Sequence, residues 1–414
     1  MEWRPSQKIA FRFFASYFTL FCLSNQFITT YVFDPFWRLV VPWFAEHILQ
    51  LTNEITVFTN GSGDTTFNYV SLLVYAILAL LITAVWSYAD RRRPNYDRAL
   101  QWFTVLVRYY LVYQMVIYGL AKVFYLQFQP PHFAKLVQPY GDSSPMGLLW
   151  TFMGFSKGYT IFTGLGELAG GILLLFRRTV TLGALVVFAV MANVMALNFF
   201  YDVPVKILSS HIVMMSLLLI VLDSKRLWNL FIANKPVEAR QIVPFFTNPQ
   251  NEKVKNIAKG FIASIAILGA LFYMNRMLQK WGPDANRPAL YGLYEVDTFE
   301  RNGEERPPLT SDYTRWRRLI IERGNRAVVQ MMDNSQQYYE MKVDTTDHYM
   351  TINLPDDTSR VDTLHFSYPD STHLLLQGLL QKDTMKIVMK VRKKENFQLM
   401  NRGFRWVSEY PYNR

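Results

Sequence analysis

The sequence predicts an α-helical polytopic membrane bundle of about seven spans, followed by a C-terminal antiparallel all-β meander that closes into a small barrel or a sandwich. Long apolar runs fill residues 1–280, whereas residues 281–414 contain short alternating runs separated by turn residues. Only 18% of the 414 residues are charged, against about 25% in an average soluble domain. We therefore expect a transmembrane domain over 1–280 and an extracytoplasmic β domain over 281–414.

Several segments reach the length of about 20 apolar residues that a helix needs to cross the hydrocarbon core. They are 9–27, 67–89, 102–124, 159–176, 180–200, 204–222 and 257–276. Arg4 and Lys8 precede the first segment and no small-residue cleavage site follows it, so we expect a retained anchor and not a signal peptide. The stretch 31–51 contains prolines and charges, and we expect it to lie on the membrane surface or to form a re-entrant segment.

The distribution of basic residues predicts the orientation, because Lys and Arg are retained on the cytoplasmic side. With the N-terminus in the cytoplasm, the inner segments hold the runs 91–93, 177–178 and 253–259. The outer loops before the last span hold only Arg38, Lys135, Lys157 and Lys206. Seven spans then place the β domain outside, so we expect a multi-pass protein of the bacterial inner (cytoplasmic) membrane with a periplasmic C-terminal domain. The formal net charge of +11 is a topology signal, and it does not indicate a nucleic-acid partner.

Short runs of alternating polarity at spacings of about 8–12 residues predict the strands of the β domain. The candidates are Leu293–Phe299, Arg317–Glu322, Ala327–Met332, Tyr338–Val343, Tyr349–Leu354, Thr363–Tyr368, Leu374–Leu379 and Met385–Val391. A barrel of this size either holds one small ligand or fills itself with side chains. In the aromatic and basic end of the chain, we expect a final strand whose Phe404 and Trp406 seal the barrel. The alternative is a surface that docks on lipid headgroups or on the membrane domain.

Ionisable side chains within spans are costly, and each marks a candidate site. On the third span Tyr110, Gln114, Tyr118 and Lys122 recur every four residues and form one polar stripe. Lys122 lies at the outer end, where it either lines a site or extends its amine to the headgroups. Glu167 falls near the bilayer midplane of the fourth span, so we expect it to be protonated or paired with a cation. A structural hydrogen bond from a protonated Glu167 is the alternative to a functional role.

Further polar residues follow in the outer half of the fifth and sixth spans, and we expect one pocket that opens toward the β domain. Its candidate catalytic residues are Lys122, Glu167 and His211, and its candidate substrate-binding residues are Tyr118, Gln114, Asn198, Asp202 and Lys206. Asp202 also fits a helix start. The turn-rich outer loop 125–157 is a candidate lid, with packing on the membrane surface as the alternative. The histidines His348, His365 and His373 lie on different predicted strands, and no metal site is predicted.

Two motifs carry a family resemblance. The run Tyr118-Gly119-Leu120-Ala121-Lys122, the Pro/Trp-rich loop and the segment 167–178 (ELAGGILLLFRR), followed by Gly183-Ala184, resemble the DoxX-like membrane proteins. The likeness covers about residues 100–222 and implies a four-helix core associated with membrane redox chemistry. A fainter likeness links these helices to the membrane domain of vitamin K-dependent gamma-glutamyl carboxylase. There Lys122 takes the position of a lysine that acts on a quinol, and no carboxylase activity is inferred.

These expectations define the function hypotheses. The first is a quinone-linked enzyme or subunit that binds a quinone or another lipid-soluble small molecule in an outer-leaflet polar pocket, with no covalently bound cofactor. The alternative is a membrane anchor that presents a periplasmic β domain to a lipid, a peptide, or a periplasmic or membrane protein partner. A transporter is disfavoured because the spans show no internal repeat.

Overall fold

The structure of the chain is a computed structural model that describes residues 2–25, 27–53, 55, 57, 61–239, 248–283, 285–355 and 357–413. Residue 26 of the first predicted span and Arg414 of the aromatic tail lie outside them. Packing divides the chain into two compact units. A helical unit comprises Met1–Gln127 and Gly158–Asn275, and a β unit comprises Phe128–Lys157 and Arg276–Arg414.

The helical unit is built from long apolar helices. Their bounds are α1 (Pro5–Ser24), α2 (Phe27–His47), α3 (Thr66–Ala89), α4 (Asp97–Val123), α7 (Lys157–Leu175), α8 (Val180–Phe200), α9 (Lys206–Val221), α10 (Ser224–Phe231) and α11 (Pro249–Trp281), with α5 (Phe133–Val137) and α6 (Pro145–Phe155) in the intervening loop. The main helical core joins residues of α1, α4, α7, α8 and α9, including Phe21, Leu111, Leu174, Val187 and Met215. This packing brings the predicted site helices α4, α7, α8 and α9 into one bundle.

Among the described residues, five helices are long and apolar enough to cross a membrane, namely α3, α4, α7, α8 and α11. The pair α9–α10, which is bent by 74°, makes six if it counts as one span. These helices indicate a membrane protein. The first predicted span forms α1 but is not one of the five, and its amino-terminal half carries Lys8 and Arg12. The count of seven spans therefore stays a prediction. The stretch 31–51 is largely the helix α2, with Pro35 and Pro42 inside it.

The β unit contains an antiparallel barrel. Its strands are β1 (Gly292–Arg301), β2 (Glu304–Glu305), β3 (Trp316–Glu322), β4 (Arg326–Met331), β5 (Gln336–Asp344), β6 (Tyr349–Leu354), β7 (Asp357–Ser367), β8 (His373–Leu380) and β9 (Asp383–Arg392). Neighbours along the chain pair in sequence, and β1 also pairs with β9, which closes the sheet. Each predicted strand is confirmed. Of the two predicted architectures, a small barrel or a sandwich, the structure has the barrel. The very short β2, which pairs with the end of β1, was not predicted.

The interior of the barrel is filled with side chains. Buried residues from every long strand meet there, among them Phe299, Trp316, Met341, Leu364 and Ile387. Alternation along each strand sends these residues to one face, as expected for a half-buried strand. The sequence was compatible with a barrel that holds a small ligand or with one filled by its own side chains, and the structure shows the second.

A second, smaller core lies on the outer face of β1, β3 and β4. Leu293, Ile320 and Val328 point away from the barrel interior and are covered by Phe133 of α5 and by Phe397, just before the short helix α12 (Gln398–Asn401). The loop between α4 and α7 is thereby part of the β unit. After α12 the described chain forms no strand, and Phe404 and Trp406 are exposed. The expectation that these aromatic residues seal the barrel is wrong, because β1 and β9 close it by pairing with each other.

Candidate functional site

A buried ion pair joins α4 to α7 inside the helical unit. Lys122 Nζ donates to both carboxylate oxygens of Glu167, at 2.6 Å to Oε1 and 2.8 Å to Oε2. The two side chains are only 6% and 2% exposed. Isolated charges at this depth would be strongly destabilising, so each side chain provides the partner that the other requires. Glu167 was expected to be either protonated or paired with a cation, and in the structure it is paired with the Lys122 ammonium.

Two glycines bring these helices close enough for the pair to form. A methyl group on Gly164 would lie 2.7 Å from Lys122 Cβ and 2.8 Å from the carbonyl oxygen of Gly119. A methyl group on Gly119 would in turn lie 3.0 Å from the carbonyl oxygen of Gly164. Each glycine precedes its charged residue by three positions, so it lies on the same helix face. The repeated spacing Gly-x-x-Lys and Gly-x-x-Glu is therefore the sequence signal for this crossing.

The other glycines of α7 have separate packing roles. Gly171 faces Met115 of α4, and Gly170 faces Val187 of α8, where a methyl group would approach to 2.7 Å. At Gly166 the nearest atom, from Val190, would lie at an ordinary 3.6 Å. The close approach thus depends on Gly164, Gly170 and Gly171, and the sequence alone does not distinguish these from Gly166.

The polar stripe of α4 leads to the ion pair. Lys122 Nζ lies 5.8 Å from the centre of the Tyr118 ring, a distance at which an ammonium is attracted by the ring face. Gln114 and Tyr110 are buried one and two turns earlier on the same face. Tyr118 and Gln114, both predicted as substrate-binding residues, therefore continue the surface on which Lys122 lies.

Asn198, Asp202 and Lys206 are brought together in the turn between α8 and α9. Asn198 Nδ2 lies 3.4 Å from the carbonyl oxygen of Val205, and Asp202 adopts a positive φ of 51° with a side chain that is 84% exposed. Lys206 Nζ bonds Asp202 at 2.9 Å. These contacts shape the turn, but Asp202 does not cap α9, because Val205 is the N-cap residue and the Asp202 carboxylate bonds the Lys206 amine.

An aspartate that the sequence analysis missed organises the same turn. Asp64 accepts hydrogen bonds from the backbone N–H groups of Lys206 at 2.7 Å and Ile207 at 3.0 Å. It therefore satisfies the first N–H groups of α9, which have no partner within the helix. The distance of 142 residues along the chain explains why local sequence patterns did not reveal this cap.

His211 is buried against α1, a helix that the sequence analysis left out of the pocket. Its Nδ1 lies 2.7 Å from the carbonyl oxygen of Ile207, so this nitrogen carries the hydrogen. The Nε2 atom then accepts a hydrogen bond from the Tyr17 hydroxyl at 2.9 Å. The ring also stacks on Phe21, with 3.9 Å between centroids. Both ring nitrogens are thus engaged by groups other than Lys122 and Glu167.

The outer loop is anchored on the barrel. The backbone N–H of Ala134 donates to Glu322 at 3.2 Å, and Lys394 donates to the carbonyl oxygen of Pro131 at 2.8 Å. Burial lowers the pKa of Lys394. The lid function of this loop stays a prediction.

No group of three or more His, Cys, Asp or Glu side chains is arranged to hold a metal ion in the part of the chain that the structure describes. His373 does lie between two carboxylates, 2.8 Å from Asp370 and 3.2 Å from Asp297. Asp297 lies on a different strand, so the sequence spacing did not reveal it, whereas Asp370 precedes His373 by only three residues.

Comparison with known proteins finds a relative of this chain in Bacillus subtilis. The chain is 31% identical over 138 residues to the "Uncharacterized protein YwoB" of Bacillus subtilis (strain 168), an alignment that spans 33% of this chain and 86% of that protein. No family model matches the chain, and no solved structure matches it at a significant level.

Proposed function

The chain belongs to the family of Bacillus subtilis YwoB, and because that protein's name assigns no activity, we propose a function from the site itself. We propose that the helical unit is a DoxX-like, redox-associated membrane module that binds a quinone-type molecule at Lys122 and Glu167. The observation that carries the proposal is the buried ion pair between these residues.

The chemistry of the pair matches both redox states of a quinone. An ammonium group donates hydrogen bonds to a quinone carbonyl oxygen, and a carboxylate accepts one from a quinol hydroxyl. Charge-assisted hydrogen bonds of this kind are stronger in a site from which water is excluded. Reduction of the quinone consumes two electrons and two protons. The proposal assigns to this chain the binding and the proton transfer, and the electrons come from a redox partner in the membrane.

His211 and the α8–α9 turn have supporting roles in this proposal. The Tyr17–His211 hydrogen bond orients α1 against α9, and Asp64 fixes the start of α9. The hydrogen bonds described above for both groups are made with residues other than Glu167. The proposal therefore keeps Lys122 and Glu167 as the groups that contact the ligand, with Tyr118 beside them.

The two separate chain segments that form the β unit support the proposed orientation. Segments that pack into one unit lie on the same side of a membrane, and this unit combines Phe128–Lys157 with Arg276–Arg414. Between them the chain passes through α7, α8, the pair α9–α10 and α11, and an even number of crossings returns it to its original side. Together with the distribution of basic residues, this supports a periplasmic β unit and an inner-membrane location.

The packed barrel bears on the alternative function. Its interior holds side chains, which leaves a partner only the outer surface of the β unit. A role as an anchor that presents this surface stays a second hypothesis. It differs from the first because it does not require Lys122 or Glu167.

Quinone titrations test the proposal. The full chain in lipid nanodiscs is titrated with a short-chain benzoquinone and a short-chain naphthoquinone while tryptophan fluorescence is followed. We expect saturable quenching by at least one of them, with at least about tenfold weaker binding after Glu167→Gln or Lys122→Met. Arg38→Met, which breaks an exposed ion pair in the same unit, is the matched control and should bind as the wild type does. Equal affinity in all these proteins, or no saturation in any, would overturn the proposal.

A further inference from the structure

The end of the chain forms a closed loop with an exposed aromatic tip. At its base, Tyr412 is fixed to the β unit by a hydrogen bond from Gln398 at 2.8 Å and by the Arg402 guanidinium, 4.0 Å from the centre of its ring. We call residues 402–412 the aromatic loop. Because both of its ends are held next to α12, the residues between them are presented as one surface.

The tip of the aromatic loop exposes an unusual amount of apolar surface. Phe404 is 79%, Trp406 91%, Val407 71% and Tyr410 84% exposed. Phe404 and Trp406 contact each other edge to face, with 5.0 Å between ring centroids. The barrel has its own packed core and does not use them. Exposed apolar side chains grouped in one short segment in this way mark a candidate interaction surface.

We propose that the aromatic loop inserts into the interfacial region of the bilayer that holds this chain, with Arg405 on the lipid phosphates. Tryptophan and tyrosine prefer the headgroup region of a membrane, where an apolar ring and a polar edge are both accommodated. An exposed arginine among them adds attraction to anionic headgroups. This proposal is independent of the proposed function, since it does not involve the ion pair.

The bilayer is the occupant that the molecule itself favours. The helices of the same chain indicate a membrane protein, so a lipid surface is always nearby. The covering residue Phe133 follows the end of α4 by ten residues, a length that spans at most about 36 Å when fully extended. Met400 of α12 packs in the same small core as Phe133. The covalent link between the end of α4 and the small core that holds the base of the aromatic loop is therefore short.

A fluorescent label on the loop tests the proposal. Ser408→Cys is labelled with an environment-sensitive NBD maleimide, which is selective because the natural Cys22 is buried. The full chain is reconstituted at one copy per nanodisc in phosphatidylcholine, with or without phosphatidylglycerol. We expect a blue-shifted emission and a several-fold rise in intensity relative to the same label at Ser371→Cys, on the exposed turn before β8. Phe404→Ser with Trp406→Ser should abolish the difference, and Trp406→Phe should retain it.

Charge and self-association are separated in the same experiment. Arg405→Gln should remove the additional intensity that phosphatidylglycerol produces and leave the shift in phosphatidylcholine. Emission at position 408 that equals that at position 371 in both bilayers would overturn the proposal. A shift that appears only with two copies per nanodisc would also overturn it, and would identify a second copy of the chain as the occupant.

Discussion

Breaking the ion pair between Lys122 and Glu167 on one side should be far more damaging than removing it altogether. Lys122→Met leaves a carboxylate that is 2% exposed without the two hydrogen bonds that it now accepts. Glu167→Leu leaves a buried ammonium in the same position. The double substitution leaves no charge, and two apolar side chains fill a space that is already enclosed by helices α4 and α7.

The burial of the pair sets the expected magnitudes. Removing one partner of a buried ion pair costs about 3–5 kcal/mol, whereas replacing both by apolar residues is often roughly neutral. The two single substitutions should therefore each lower the free energy of unfolding by several kcal/mol, and the double substitution by much less than their sum. At the exposed pair of Arg38 and Asp34, the same kind of change, Arg38→Met, should cost at most about 1 kcal/mol.

The double-mutant cycle is measured on the full chain in mixed micelles. Unfolding is driven by increasing the fraction of sodium dodecyl sulfate and is followed by tryptophan fluorescence. A single substitution that costs no more than Arg38→Met would refute the reasoning. Additive costs in the double variant would refute it as well, because the two residues would then not stabilise each other.

Three further predictions address the packing, the barrel and the topology. Gly164→Ala should destabilise the helical unit by roughly 1–3 kcal/mol, because its methyl group meets backbone atoms of α4, while Gly166→Ala should change little in the same unfolding assay. Burial alone would raise the pKa of Glu295, but hydrogen bonds and ion pairs with Arg392 and Arg318 have a larger effect and hold that pKa below its ordinary value. The ionised Glu295 therefore stabilises the fold fully above about pH 4.3, and this stabilisation is lost as the pH falls through the lower pKa of the folded state. Glu295→Gln should accordingly lower the Tm at neutral pH and match the wild type in acid. In intact spheroplasts a membrane-impermeant maleimide should label Ser371→Cys but not Lys235→Cys, and the reverse pattern would contradict the proposed orientation.

The secondary structure was largely predictable because it depends on local patterns. The strand Tyr349–Leu354 has the bounds that its alternation predicts, and the span 180–200 forms α8 over the same residues. The aromatic end of the chain was mispredicted for a tertiary reason. Pairing of β1 with β9 leaves no strand position for Phe404 and Trp406, and such pairing between distant segments is not visible in either segment alone.

The candidate site shows the same division between local and long-range information. The cost of a buried carboxylate predicted that Glu167 is either protonated or paired with a cation, and the cation is Lys122, 45 residues away in the sequence but at hydrogen-bond distance. The partners of His211 were not predicted, because Tyr17 lies on a helix whose facing side is set by packing. Asp64 was missed for the same reason, since its acceptor role depends on a loop that meets the α8–α9 turn.

Photo-crosslinking tests most directly whether the ion pair is a quinone site. The full chain in nanodiscs is illuminated with an azidoquinone, and the labelled peptides are identified by mass spectrometry. We predict labelling of peptides from α4 and α7 that flank Lys122 and Glu167, competed by unmodified quinone and lost in Glu167→Gln. Labelling confined to other helices, or unchanged labelling of α4 and α7 in Glu167→Gln, would contradict the proposed function.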